Sequence, residues 1–298
     1  MTKNLIPFLF LICLVGCSGS GSSEVGVSTD YLTVSSSHIY LGADSDERSL
    51  TITNTSSTLT VTNITSVFVG TALDGQVTET MNTCTALLPN ASCTLGYTPG
   101  STAVSDTSFT ITSDNSSDLQ VDMEILDLSV AQAFQGGKIA SLNSDGISGL
   151  IASNSDGLAT NWGTVGVVTG ATSTSDGAAN TIAIINAVGS SNAAGECADF
   201  EIDSADNTPC QLGNTCYNDW FLPASNQLFK LWQSKAALGG YSTGSYWTSE
   251  EANGLMGSVP ANDAILQDFS LLGIGALAPG SKDNSSIKFR CVREFSYL

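Results

Sequence analysis

Histidine is nearly absent from this sequence: of 298 residues, only His38 is a histidine. Catalytic triads, Cys-His pairs and histidine-ligated zinc sites therefore cannot be built from the C-terminal part of the chain. Basic residues are also scarce, with nine lysines and arginines against 28 acidic residues and a net charge of −19. Such a chain repels polyanions, so we expect no nucleic-acid partner.

The apolar run near the N-terminus, residues 5–15, is too short to span a bilayer. It follows Lys3 and ends in Leu14-Val-Gly-Cys17, and this order of basic, apolar and small residues is typical of a cleaved secretory signal. The Leu-Val-Gly-Cys tetrapeptide resembles the lipobox of bacterial lipoproteins. The resemblance implies a signal peptide at residues 1–16 and acylation of Cys17.

Serine and glycine alone follow the cysteine up to residue 23, so residues 17–23 form a lipidated cysteine with a flexible tether. Ser18, rather than aspartate, follows Cys17, which in Gram-negative lipoproteins implies sorting to the outer membrane. We expect the protein to be anchored there through its lipid chains and exposed on the cell surface. The remainder, about 280 residues, suits two domains.

Residues 24–130 have the pattern of an all-β domain. Only 12% of the chain is charged and 42% is hydrophobic, so the acidic balance does not indicate disorder. Apolar residues alternate with polar ones, mostly threonine, in short segments separated by turn residues, which predicts an antiparallel sandwich. The predicted strands cover residues 50–54, 59–65, 92–97, 109–112 and 119–125.

Three motifs in this region carry a resemblance: Leu50-Thr-Ile-Thr-Asn, then Leu88-Pro-Asn-Ala-Ser-Cys93 preceded by Cys84, then Tyr97-Thr-Pro. Together they resemble the immunoglobulin-like modules of bacterial surface proteins known as choice-of-anchor or Hydin-like domains. The resemblance implies an immunoglobulin-like sandwich that serves as a spacer, with a local disulfide between Cys84 and Cys93.

The pattern changes after residue 130. Trp220-Phe-Leu is a short apolar run stopped by Pro223, and apolar residues then recur at helical spacing up to Trp232. This predicts a strand followed by a helix that begins near Ser225, whose hydroxyl would cap it, and ends at Gly239-Gly240. Tyr246-Trp247 predicts the next buried strand.

Asp219-Trp-Phe-Leu-Pro-Ala-Ser-Asn-Gln-Leu, Tyr246-Trp-Thr-Ser-Glu and Phe289-Arg-Cys-Val-Arg resemble the domain of unknown function at the C-terminus of the Legionella collagen-like adhesin. With weaker upstream motifs, the resemblance covers residues 134–295. It implies an α+β, C-type-lectin-like domain at residues 131–298 that binds at its loops. The predicted fold of the whole chain is therefore mixed, an all-β sandwich followed by an α+β domain. The structural motif residues would be Trp220, Leu222, Pro223, Tyr246, Trp247, Glu250, Arg290 and Arg293.

Six cysteines remain once Cys13 is cleaved off and Cys17 is acylated. Beyond Cys84 and Cys93, four cysteines allow three pairings. We favour Cys197 with Cys291 and Cys210 with Cys216. The pairing of Cys216 with Cys291, which leaves Cys197 with Cys210, is the closest alternative.

Acidic residues raise the question of calcium. Asp-Gly occurs at residues 145–146, 156–157 and 176–177, where it favours hairpin turns over cation loops, because several converging oxygen ligands are missing. A denser acidic segment precedes Cys210. We expect no cofactor, and the one candidate calcium site would be formed by Asp199, Glu201, Asp203 and Asp206.

We expect the ligand surface at the glycine- and asparagine-rich segment of residues 251–287, because binding usually resides on loops held by a rigid scaffold. The candidate ligand-binding residues there are Asn253, Asn262, Asp263 and Asn284. Sugar stacking on Trp220, Trp232 or Trp247 is the alternative, although Trp220 and Trp247 are expected in the core. Adjacent Glu250 and Glu251 would point to opposite faces of a strand, and are poor partners for acid/base catalysis. Either glutamate is a candidate partner for Arg290 or Arg293.

The sequence thus predicts a non-enzymatic surface lipoprotein that presents a lectin-like adhesion domain on a spacer and binds a protein or glycan. Two alternatives stay open. One is an envelope structural lipoprotein bound to an outer-membrane or periplasmic partner. The other is a variable ligand-binding target of a diversity-generating retroelement.

Overall fold

The computed structural model describes residues 30–270 and 274–297. It is a mixed fold dominated by β-structure, with 37% of the described residues in strands and 13% in helices. Among the described residues, no helix is long and apolar enough to cross a membrane. The predicted signal peptide at 1–16, the acylated Cys17 and the tether at 17–23 lie outside these residues.

Two four-stranded sheets dominate the N-terminal part. Its strands are β1 (Leu32–Val34), β2 (His38–Gly42), β3 (Arg48–Asn54), β4 (Val61–Thr62), β5 (Thr65–Val67), β6 (Val77–Asn82), β7 (Ala86–Leu87), β8 (Ser92–Pro99), β9 (Val104–Thr112) and β10 (Leu119–Leu126). The sheet orders are β1-β3-β8-β6 and β2-β10-β9-β5, and β4 pairs with β7 in a small ladder. β2 runs parallel to β10, whereas the other pairs in the two sheets are antiparallel.

Residues from both sheets form one hydrophobic core, whose buried members fall between Leu32 and Ile125. The alternation predicted from the sequence produces it: in β3, Leu50 and Ile52 are buried and Thr51 between them is exposed. The strand predicted at 59–65 is wrong. The chain breaks there into β4 and β5, because Asn63 has φ 55, a left-handed conformation that asparagine tolerates and that ends a strand.

Within the described residues, the C-terminal part contains three α-helices, a one-turn 3-10 helix at Leu255–Gly257 and shorter strands. These are β11 (Ala133–Phe134), β12 (Gly137–Leu142), β13 (Ser148–Ala152), α1 (Gly177–Val188), α2 (Ala193–Ala198), β14 (Ile202–Asp203), β15 (Cys216–Tyr217), α3 (Ser225–Leu238), β16 (Ser245–Glu251), β17 (Asp263–Asp268), β18 (Leu277–Ser281) and β19 (Val292–Ser296). The sheets are β11-β12-β13-β19, β16-β17-β18 and β14-β15. Their two hydrophobic clusters are built from buried residues between 139 and 295, and are separate from the cluster between Leu32 and Ile125.

The helix predicted to begin near Ser225 and end at Gly239 is confirmed as α3, but its cap differs from the prediction. Ser225 is already the first helical residue. The carboxylate of Glu250 accepts the backbone N–H of Ser225 at 2.6 Å, and Gln227 Oε1 accepts that of Ala224. The strand predicted at Trp220-Phe-Leu is reduced to a single bridge between Phe221 and Val292.

All three disulfides follow the favoured pairing. Cys84 bonds Cys93, Cys197 bonds Cys291, and Cys210 bonds Cys216. The alternative with Cys216 bonded to Cys291 is wrong. The Cys197–Cys291 bond ties α2 to the segment before β19, and both of its cysteines are buried in the core.

The two parts of the chain meet at a close junction. A Cβ atom on Gly42 would lie 2.6 Å from Cα of Gly146, so the two backbones touch where only glycine fits. Arg48 donates from Nη1 to the carbonyl oxygens of Tyr40 at 3.0 Å and Tyr297 at 3.1 Å. The rings of Tyr40 and Tyr297 also pack, with centroids 4.9 Å apart.

Candidate functional site

Three chain segments meet at one end of the β16-β17-β18 sheet. Glu251 is paired with Ala264, and Asp263 with Ser281, so β16 ends, β17 begins and β18 ends at the same edge. The segments 252–262 and 282–286 extend from this edge. Segment 164–170 joins them, because Gly166 N–H donates to the carbonyl of Ala261. We call residues 164–170, 252–262 and 282–286 the loop face.

A fully buried ion pair holds the loop face together. Lys282 Nζ lies 2.6 Å from Glu251 Oε1, and the two side chains are 0% and 1% exposed. The same ammonium donates to the carbonyl of Val167 at 2.7 Å and lies 4.9 Å from the ring centroid of Trp162. Glu251 in turn accepts the backbone N–H groups of Thr169 and Gly170. One pair of charges therefore fastens segment 164–170 to the ends of two strands.

The loop face combines exposed apolar side chains with few charges. Four aliphatic side chains are exposed: Val165 43%, Val168 62%, Met256 79% and Val259 49%. Segments 164–170 and 252–262 contain no charged residue, although the chain carries 28 acidic residues. These two segments are therefore set apart from the rest of an acidic molecule by their lack of charge.

The four candidate ligand-binding residues lie on or at the edge of this loop face. Asn253, Asn262 and Asn284 are exposed, and Asp263 is half-buried. Asn284 Oδ1 accepts from Ser286, and Asp263 Oδ2 accepts the N–H of Val259, so these two side chains shape the loops. Within the described residues, the amides of Asn253 and Asn262 have no hydrogen bond of their own.

The tryptophans predicted for the core are in the core. Trp220 is 3% exposed and Trp247 is 0% exposed, and Trp162 is equally buried. Their indole N–H groups donate to the carbonyls of Tyr217, Thr160 and Thr248 respectively. Leu222, Pro223 and Tyr246 are buried as well. Stacking of sugars on Trp220 or Trp247 is therefore not possible without unfolding.

The two arginines of the terminal motif do not pair with Glu250 or Glu251. Arg290 donates from Nε and Nη2 to Asp156 Oδ1, and its guanidinium lies 4.0 Å from the ring centroid of Tyr241. Arg293 donates to the carboxylate of Asp219. Both glutamates are occupied elsewhere, Glu251 by Lys282 and Glu250 by the first turn of α3.

The acidic segment before Cys210 forms a hydrogen-bonded loop. The buried Asp203 carboxylate accepts backbone N–H groups of Ala205, Asn207 and Gln211 and the side-chain amides of Asn207 and Asn214. Among the residues described, Asp199, Glu201, Asp203 and Asp206 do not converge as a group. Glu201 instead groups with Cys210 and Cys216, whose sulfurs are bonded to each other.

Glu250 and Asp203 have pKa values shifted in opposite directions. Burial raises the pKa of Glu250 above its ordinary value, and the hydrogen bonds from Ser225 offset this only in part. Burial acts in the same sense on Asp203, but hydrogen bonds from Asn214, Asn207 and Gln211 outweigh it and lower the pKa of Asp203. The two carboxyls should therefore contribute to stability with opposite pH dependence.

We predict opposite pH profiles for Glu250→Gln and Asp203→Asn. The folded state holds the Glu250 proton more tightly than the unfolded state, so this group's contribution falls as pH rises from about 4 through its raised pKa. The Asp203 contribution is present above about pH 4 and is lost as pH falls through its lowered pKa. Urea unfolding at a series of pH values, taken as wild type minus variant, measures both slopes. Slopes of the same sign would contradict the assignment.

Sequence reasoning missed the residues that make the loop face. Val165, Val168 and Met256 belong to segments without a charged residue, and that absence in an acidic chain was the available signal. Lys282 was visible only as an isolated base in a polar loop. Its partner Glu251 is 31 residues away along the chain, so neither periodicity nor spacing could connect the two.

Comparisons with known proteins give little. No family model matches the chain, and no curated protein matches it. Among solved structures, it is similar to the VesB protease of Vibrio cholerae (15% identity, TM-score 0.24, 33% of this chain and 32% of that one). It is similar to domains 4 and 5 of the S-layer protein SbsC (15% identity, TM-score 0.25, 32% of this chain and 50% of that one). It is also similar to the secreted serine protease VesC of Vibrio cholerae (16% identity, TM-score 0.23, 41% of this chain and 33% of that one). The chain thus spans between a third and a half of the structures it matches.

Proposed function

We propose that this chain is a non-enzymatic surface lipoprotein that binds a partner protein through the loop face. The observation that carries the proposal is the exposure of four aliphatic side chains, Val165, Val168, Met256 and Val259, on segments that contain no charged residue. Exposed apolar surface bordered by polar residues is typical of interaction sites, and interface centres are depleted of charge. The exposed amides of Asn253 and Asn262 supply hydrogen-bonding groups at its rim.

The backbone at Met256 adds to this argument. Met256 has φ 52, a conformation that costs free energy in residues other than glycine, yet its side chain is 79% exposed. Strained backbone concentrates at functional sites, where the surrounding structure maintains it. Methionine is also well suited to binding, because its flexible thioether adapts to the shape of a partner.

A protein ligand is favoured over a glycan. Glycan sites commonly rely on exposed aromatic faces, whereas the loop face contains no aromatic residue. Its exposed apolar side chains are aliphatic, and aliphatic surface gains most from packing against other apolar surface. The partner should therefore present an uncharged apolar patch.

The architecture is consistent with a spacer that carries a binding module. The two sheets that share one core support an immunoglobulin-like assignment for residues 24–130. The helices and small sheets with long connections support a C-type-lectin-like assignment for residues 131–298. In the full proposal, acylation at Cys17 anchors the chain in the outer membrane and the loop face is the surface that binds the partner.

A non-enzymatic role is supported by what the carboxylates do. Glu250 caps α3 and Glu251 neutralises Lys282, so neither is free to transfer a proton to a substrate. An envelope structural lipoprotein remains the second candidate, because an apolar face also suits a permanent partner. The two candidates differ in where the loop face is exposed.

We predict that the double variant Val168→Ser/Met256→Ser binds its partner more weakly but is as stable as the wild type. Both side chains are mostly exposed, so their removal from the surface costs little in folding, whereas a central contact in an interface contributes about 2 kcal/mol or more. A panel of purified cell-surface proteins and glycans immobilised on an array first identifies a ligand for the full-length protein. The double variant should then bind it at least roughly tenfold more weakly.

The matched control is Val69→Ser, since Val69 is 79% exposed and lies in the N-terminal part. Asn253→Ala, Asn262→Ala and Asn284→Ala test the polar rim in the same assay. Unchanged affinity in every loop-face variant, with the protein still folded, would rule out this location. Protease treatment of intact cells separates the two candidates: loss of the C-terminal part supports adhesion, and protection supports an internal envelope partner.

A further inference from the structure

His38, the single histidine of the chain, lies beside two aspartates on one sheet of the N-terminal part. His38 is on β2, Asp122 on β10 and Asp106 on β9, and His38 is directly paired with Asp122 in the parallel ladder. One ligand atom from each of the three side chains lies within 4.8 Å of the other two. Three hydrogen-bonded strands thus place an imidazole and two carboxylates together.

Neither ring nitrogen of His38 makes a hydrogen bond among the described residues. Its Nδ1 lies 3.7 Å from Asp106 Oδ1, which is too long for a hydrogen bond. Its Nε2 is buried and has no partner among the described residues. The ring is nevertheless held in place, because it stacks on Tyr40 with centroids 4.2 Å apart. An oriented imidazole with no hydrogen-bond partner is available for coordination.

The spacing suits a metal ion better than a hydrogen bond. Bonds of about 2.0–2.2 Å to a tetrahedral zinc ion place neighbouring ligand atoms roughly 3.3 Å apart. A small rotation of Asp106, whose side chain is 59% exposed, closes the 3.7 Å gap to that spacing. Asp122 is already oriented, because Ser108 Oγ donates to its Oδ1. Such outer hydrogen bonds commonly fix metal-ligating carboxylates.

We propose that His38, Asp106 and Asp122 bind one divalent transition-metal ion of the zinc class. Imidazole selects zinc, copper, nickel or cobalt over calcium and magnesium, which prefer oxygen ligands alone. Water completes the coordination on the exposed side. The surroundings favour a cation, because between residues 18 and 130 there are 13 acidic residues and a single basic one, Arg48. This site is independent of the loop face and of the proposed function.

Calorimetric titration of the full-length protein with Zn²⁺ tests the proposal. One ion should bind per chain, and His38→Gln should abolish that binding. Asp106→Asn and Asp122→Asn should each weaken Zn²⁺ affinity at least roughly 10- to 100-fold. Loss of a residue that only supports a metal ligand already has an effect of that size. Co²⁺ provides a second readout, since its absorption spectrum reports a nitrogen and oxygen ligand set. With a single histidine in the chain, its ring resonances in NMR follow the same event without assignment.

Asp74→Asn is the matched control, because Asp74 is also an exposed aspartate of the N-terminal part and should leave Zn²⁺ affinity unchanged. Circular dichroism verifies that each variant is folded, and the exposed position of Asp106 makes its variant the safest to interpret. Zn²⁺ binding that survives His38→Gln, or no binding at millimolar Zn²⁺, overturns the site. Equal affinity for Ca²⁺ with the same dependence on Asp106 would reduce it to general attraction by negative charge.

Discussion

Lys282→Met should lower the free energy of unfolding by about 3–5 kcal/mol, the cost of leaving a buried charge without its partner. Methionine retains the length and the apolar stem of the side chain, so the change isolates the ammonium. Glu251 would then face a dry interior with only two backbone N–H groups to stabilise it. Val167 would also lose the donor to its carbonyl oxygen. Guanidinium unfolding followed by tryptophan fluorescence measures the loss.

Lys230→Met is the matched control for that variant, because Lys230 is exposed and forms no ion pair among the described residues. The double variant Glu251→Gln/Lys282→Met should recover much of the stability, since no unpaired charge remains buried. A double-mutant cycle then gives the coupling energy. A cost below about 1 kcal/mol for Lys282→Met, the value typical of surface pairs, would show that the pair is not shielded from water.

Removal of the Cys197–Cys291 disulfide is the second large effect. The bond closes a segment of 94 residues, so the chain-entropy model gives about 4.6 kcal/mol for the double variant Cys197→Ala/Cys291→Ala. Both cysteines are also buried in the core, which adds a packing loss. Thermal and denaturant unfolding of the double variant under oxidising conditions measures the change.

The disulfide Cys210–Cys216 is the control within the same part of the chain. It closes only 6 residues, for which the same model gives about 2 kcal/mol. We therefore expect Cys210→Ala/Cys216→Ala to be much the milder change and to affect mainly the loop around Asp203. Equal losses in the two double variants would show that loop length does not determine the stabilisation in this protein.

The three Asp-Gly pairs show what the sequence could and could not predict. All three were predicted as hairpin turns, and only Asp145-Gly146, between β12 and β13, is one. Asp156 instead holds the guanidinium of Arg290. Asp176 accepts the N–H of Ala179 and caps α1. Aspartate is favoured in turns, at helix starts and beside arginine for different physical reasons, and the dipeptide does not distinguish among them.

Features set by the periodicity of a single segment could be predicted from the sequence. The alternation in β3 and β10 and the bounds of α3 are confirmed. The favoured disulfide pairing is confirmed too, although Cys197–Cys291 joins residues 94 apart and was chosen among open alternatives rather than from local pattern. The cap of α3 was wrong because its partner, Glu250, is 25 residues away. The loop residues Asn253, Asn262 and Asn284 were predicted from composition, but their convergence depends on the register of β16, β17 and β18. Long-range pairing of that kind leaves no periodic trace in a single sequence.

The junction of the two parts also determines how a force would travel through the molecule. Arg48 grips the carbonyl oxygens of Tyr40 and Tyr297, and so fastens the end of the last strand to the start of the N-terminal sheets. The touching backbones of Gly42 and Gly146 leave no compressible side chain between them. Tension between the proposed partner and the proposed lipid anchor would thus be shared by this junction and the covalent connection at residues 127–132. Under such tension the two parts would move as one rigid unit rather than as two domains joined by a flexible linker.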